Sequence, residues 1–75
     1  MSDRNIVGRK IREARLKEYP KATIKDLGAR LQLQGITLSE NAIGKIECGN
    51  RSITDLQIVA FSRALKVSIS WLFEE

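Results

Sequence analysis

Ser39-Glu40-Asn41-Ala42-Ile43-Gly44-Lys45-Ile46-Glu47-Cys48-Gly49-Asn50-Arg51 is the stretch that decides how this chain is read. It has the pattern of a short helix that opens on a capping serine and stops at a glycine. Ser39 is a good N-cap, with Thr37 and Glu40 as a rival capping box two residues earlier. Ala42, Ile43 and Ile46 fall on one face at helical spacing. Glu40, Asn41, Gly44 and Lys45 are left on the opposite face. Glutamate, asparagine and lysine are side chains that can read the edges of bases. For an arbitrary helix, a merely solvated face is the commoner meaning of such a pattern.

Outward from this stretch, the punctuation predicts five short helices and no strands. A first helix is expected over Asn5 to Glu18, with Val7, Ile11 and Ala14 as its inner stripe. Pro20 stops it, because the residue before a proline disfavours helical geometry. A second starts at Thr23, whose spacing to Asp26 resembles a capping box. Ile24, Leu27, Gly28 and Leu31 form its inner side, and Gly35 is the left-handed residue that ends it, with Ile36 touching Leu31. A fourth runs from Thr54 to about Lys66 and is apolar almost all round, which predicts the central helix of a small bundle. A fifth, capped by Ser68, covers Ile69 to Phe73. One turn cannot bury Trp71, Leu72 and Phe73 together, so some apolar surface there is expected to meet a partner or a second subunit.

Composition sets the outer bounds. Seventy-five residues make one small domain, spanning 1–75, and chains of this size bury only about 60% of their unfolded surface. The hydrophobic fraction of 43% is enough for a core. A single cysteine, Cys48, excludes an internal disulfide, and without histidine it cannot build a zinc site. A small, partly buried helix-end role is expected for it. No segment approaches the roughly 20 apolar residues of a membrane span, and the opening MSDRNIVGRK lacks the apolar run of a signal peptide. A cytoplasmic protein is therefore expected. The net charge of +4 is unevenly placed: residues 1–51 hold 11 Lys or Arg against 6 Asp or Glu, a balance of +5, and residues 52–75 hold 2 against 3, a balance of −1. A basic half that contains Ser39–Arg51 points to nucleic acid or an anionic surface.

Several segments together resemble the phage-repressor, Cro-like (XRE) helix-turn-helix family. They are GRKIREAR at Gly8–Arg15, TIKDLGARL at Thr23–Leu31, AIGKIECGNR at Ala42–Arg51 and ALKVSISWLF at Ala64–Phe73. The resemblance implies an all-α, lambda-repressor-like bundle whose second and third helices form the helix-turn-helix. It also implies a recognition helix at about 39–48 lying in the major groove. Carried over by position, Ser39, Glu40, Asn41 and Lys45 are the base-contacting candidates, with Asn41 suited to adenine, Lys45 to guanine and Glu40 to cytosine. Thr23 and Lys25, at the start of the second helix, and Asn50 and Arg51, beyond the third, are the candidates for the DNA backbone. Arg15 and Glu47 match positions that form a largely buried structural ion pair. The implied function is sequence-specific transcriptional regulation on a palindromic site in double-stranded DNA. The protein would act as a homodimer, paired through the region of Trp71, Leu72 and Phe73, in a bacterial or phage setting. No cofactor, metal, small-molecule effector or catalytic residue is implied.

Two features depart from the family. Ile24 stands where a phosphate-binding glutamine is usual, which leaves that contact to Lys25. The sixteen steps from Leu27 to Ile43 exceed the usual spacing, with the extra residues around Gln32–Leu38. A longer second helix and a longer connection follow, and with them a different entry angle for the third helix. These departures favour an alternative, a protein-interaction module on the same fold such as an antitoxin-like partner, since fold does not settle function. An enzyme is the least supported class: no nucleophile, base or phosphate loop can be assigned.

Overall fold

The reasons these residues form helices are visible at the helix ends. The computed structural model describes residues 4–74, and among them lie five helices and no strand: α1 Gly8–Lys17, α2 Ile24–Leu33, α3 Glu40–Glu47, α4 Asp55–Leu65 and α5 Ile69–Leu72. None is long and apolar enough to cross a membrane. Thr23 and Thr54 cap α2 and α4 through reciprocal capping boxes with Asp26 and Gln57. Ser39 caps α3, its hydroxyl accepting from the Ala42 N–H at 3.1 Å, which decides against the rival start at Thr37.

The C-terminal ends of α2 and α3 close in the same way. Gly35 and Gly49 take φ of +81° and +79°. At α2 the Ile36 N–H reaches the Leu31 carbonyl, and at α3 the Asn50 N–H reaches that of Lys45, the six-to-one bond of a Schellman motif. At α4 the same left-handed position is occupied by Lys66, with φ of 57°.

The opening of α1 differs from the expectation. The helix begins at Gly8, three residues later than the spacing predicts, and has no side-chain cap at Val7. Residues 5–7 instead form an entry segment in which the Asn5 side chain accepts from the Gly8 N–H at 2.6 Å.

Val7, Ile11, Leu27, Leu31, Ile43, Ile46, Phe61 and Leu72 are buried almost without residue. They come from all five helices and the entry segment, so the core is a single cluster. Each such side chain contributes about 1.5–3 kcal/mol of transfer free energy. α4 packs against α1, α2 and α5, but α1 touches three helices as well, so no single helix is central. Nor is α4 buried all round: its first-turn Leu56 is 71% exposed.

In α5 the three consecutive large residues separate as one turn requires. Leu72 is fully buried, Trp71 is half-buried beneath the Lys10 and Lys17 ammonium groups at 4.5 and 5.5 Å, and Phe73 is exposed.

Candidate nucleic-acid interface

The orientation of α3 is set by four ties at its C-terminal end. Arg15 on α1 donates through Nε and Nη2 to both carboxylate oxygens of Glu47, at 2.8 and 2.9 Å, and through Nη1 to the Ala22 carbonyl at 2.9 Å. Both partners of this fork are buried. Glu47 holds the Arg15 guanidinium further in its charged form than usual, outweighing the opposing effect of burial. Asn5 donates to the carbonyls of Ile46 and Arg51, at 3.1 and 2.7 Å. The Arg4 N–H donates to the Gly49 carbonyl at 2.8 Å. Finally, Gly8 lies so close to the backbone of Ile46 that a Cβ there would overlap its carbonyl.

With that end fixed, Ala42, Ile43, Ile46 and Glu47 face inward, and Glu40, Asn41, Lys45 and Cys48 face solvent. Ser39 is exposed too, and its hydroxyl can still donate while accepting from Ala42. Gly44 lies in the middle of the outward face. Among the described residues, no atom beyond its own stretch of helix lies within 4 Å of where its Cβ would be, so packing against a neighbouring helix does not explain this glycine. It leaves the α3 backbone accessible between Asn41 and Lys45. Glu40 in the first turn and Lys45 in the last each suit the helix dipole. Cys48 is exposed rather than partly buried, because α3 ends one residue before it and its side chain follows the outward rows of Asn41 and Lys45.

The start of α2 is less open than the sequence suggests. The Thr23 N–H is occupied by the Asp26 carboxylate at 2.9 Å, and the Thr23 hydroxyl accepts from the Asp26 N–H at 3.0 Å. The Thr23 N–H, donating to the Asp26 carboxylate, is the main cause that holds its carboxyl below the ordinary pKa. An anion arriving here meets a carboxylate as well as free amides, so of the two candidates Lys25, exposed beside it, is the better placed to attract phosphate. Ile24 is half-buried, packs against the core and has no polar side-chain atom to offer a phosphate.

Asn50 and Arg51 are exposed on the loop leaving α3, with the Arg51 carbonyl pinned by Asn5. Arg9 and Arg12 border the Cys48 end of α3, and Arg12 Nε lies 4.0 Å from the already occupied Glu47 carboxylate.

Of the three residues expected at a pairing surface, Leu72 is fully buried and cannot take part, and Trp71 is half-buried beneath two lysines. Phe73, 43% exposed, instead shares a groove with Ile6, 67% exposed. Asn5 and Gly8 are the site-positioning residues that helical periodicity does not mark. The signal for Asn5 is its type, since asparagine three residues before a helical N–H is a capping residue.

No protein-family model matches this chain, and no curated protein and no solved structure matches it either.

Proposed function

We propose that this chain is a sequence-specific DNA-binding transcriptional regulator of the Cro-like type, with α3 entering the major groove. The observation that supports this best is the outward face of α3. Ser39, Glu40, Asn41 and Lys45 are all exposed around a half-buried glycine with open space at its Cβ position, on a helix whose other side is tied to α1. Side chains for base edges are then presented from a rigid backbone that can approach closely. Lys25, Asn50 and Arg51 supply contacts to the flanking phosphates. A single copy presents few contacts for tight specific binding, so two copies on a two-fold site are expected. Phe73 and Ile6, exposed on one groove, are the candidate side chains for pairing.

Selection of bound duplexes from a random library tests the reading, since it returns the motif, its symmetry and the half-site spacing together. On the selected duplex, Lys45→Ala should cost about 1–3 kcal/mol and relax preference at one base position. Arg51→Ala should weaken all sequences alike and flatten the salt dependence. Failure to enrich any motif, together with no salt-dependent binding of random duplex at micromolar protein, would exclude DNA as the partner.

A second reading, a protein-interaction module, is favoured by one observation: the Asp26 carboxylate sits on the amide where phosphate would dock. The random-duplex titration at two salt concentrations separates the two.

A further inference from the structure

A second surface feature lies at the other end of α4 from the Asn50–Arg51 loop. α4 has eleven residues, so at 1.5 Å of rise per residue its two ends are roughly 15 Å apart. At the far end, a groove of about 590 Å³ opens between the C-terminal ends of α2 and α4. Arg30 and Glu18 lie within it as a bidentate pair, both contacts at 2.7 Å, and Arg30 holds the Glu18 carboxyl below its ordinary pKa.

That pairing consumes the groove's only carboxylate. Arg63 and Lys66 line the same groove, are exposed and form no salt bridge among the described residues, with Lys66 near enough to Glu18 to help hold its carboxyl down. The rim carries Leu33, 87% exposed at the last position of α2. Lys66 occupies the left-handed stop of α4, where a glycine would be unstrained. The helix stop requires that backbone conformation and does not require a lysine.

We propose that this groove docks an acidic segment of a partner protein bearing one apolar side chain. The carboxylates meet Arg63 and Lys66, and the apolar group covers Leu33. Charge complementarity selects an acidic partner. The exposed leucine selects a peptide over a nucleic-acid backbone, which offers no apolar group. The groove is independent of whether α3 reads DNA.

The probe is a short synthetic peptide of glutamates flanking one leucine, titrated into the full chain and followed by amide NMR shifts. The controls are an all-glutamate peptide, a peptide with lysine for glutamate, and random duplex DNA. Saturable shifts confined to Leu33, Gln34 and the 63–67 region are expected, with weaker binding of the all-glutamate peptide and none of the lysine peptide. Lys66→Gly and Arg63→Ala should each weaken binding about two- to five-fold, the scale of an exposed ion pair. Lys66→Gly should also melt above the wild type, so its lost binding cannot be unfolding. Equal binding of the all-glutamate peptide, shifts spread over the whole basic surface, or undiminished binding by Lys66→Gly would overturn the proposal. So would displacement of the peptide by random duplex, or self-association that shifts the same amides.

Discussion

The substitution Gly44→Ala separates a helix that reads DNA from one that merely faces solvent. Gly44 has ordinary helical backbone, since the left-handed glycines are Gly35 and Gly49. Among the described residues, nothing beyond its own stretch of helix lies within 4 Å of the added methyl. Replacing a helical glycine by alanine under these conditions stabilises the fold by about 0.5–1 kcal/mol, because the unfolded chain loses freedom and the helix gains propensity. For a domain of this size that is a rise in Tm of about 2–8 °C. The same substitution at Gly8 has the opposite sign. There the methyl would overlap the Ile46 carbonyl, and forcing α1 and α3 apart costs at least about 1–3 kcal/mol. Thermal unfolding by far-UV circular dichroism measures both. If α3 approaches DNA at Gly44, the stabilised Gly44→Ala protein binds its selected duplex more weakly, by about five-fold or more, the lower end of what overpacking a close interface costs. Fold stability and DNA affinity then move in opposite directions. A variant that melts higher and binds equally well would show that DNA does not come close to this backbone, and the proposed docking of α3 would be wrong. A variant that melts lower would refute the open face itself.

Glu47→Ala leaves the Arg15 guanidinium buried and unpaired, and should cost about 3–5 kcal/mol in urea unfolding. The double change Arg15→Met with Glu47→Leu should cost less than Glu47→Ala alone, because no charge is then left buried. Stability should fall on acidification below about pH 4.5: the folded pKa values of Glu18 and Asp26 are depressed, by Arg30 and by the Thr23 amide respectively, so their contribution is present above the unfolded values and lost as pH falls through the folded ones. Equilibrium unfolding at a series of pH values checks the sign, and Glu18→Gln should remove part of the slope. Alkylating the single, exposed Cys48 with a bulky maleimide should abolish binding to the selected duplex, while Cys48→Ser binds normally and ignores the reagent.

The elements of the fold were legible because their ends are coded locally. Thr23 with Asp26, Ser39, Gly35 and Gly49 carry their meaning within four residues, and the structure makes the hydrogen bonds those spacings require. The start of α1 was legible only in part, through the local bond from the Gly8 N–H to Asn5. Asn5 is held by carbonyls forty-one and forty-six residues away, and no local pattern encodes those contacts. The fate of the Trp71–Phe73 run was legible as a conflict but not in its resolution. Burying Leu72 and covering Trp71 with Lys10 and Lys17 depends on where α1 lies against α5. At the candidate site, the outward face of α3 follows from helical spacing. The emptiness around Gly44 and the occupied amide at Thr23 are tertiary and local geometry that composition cannot report.

The long connection between α2 and α3 does not by itself set the tilt of α3, and the reason lies in how its length is stored. Gln32, Leu33, Gln34 and Gly35 are all exposed, so the extra length forms an excursion into solvent at the end of α2. The chain then returns to the core through Ile36 and Leu38, which pack against it, and the Leu38 carbonyl passes within 3.9 Å of where a Cβ on Gly28 would lie. By Ser39 the path has been brought back to the body of the protein. At its other end α3 is clamped to α1 by the Arg15–Glu47 fork, by Asn5 and by the Gly8 contact. A helix of eight residues fixed at both ends has little freedom left for a loop to exploit. The angle of α3 is therefore set by its packing against α1 and α2, and under the proposed function Asn5, Gly8 and Arg15 would help govern how it meets a groove.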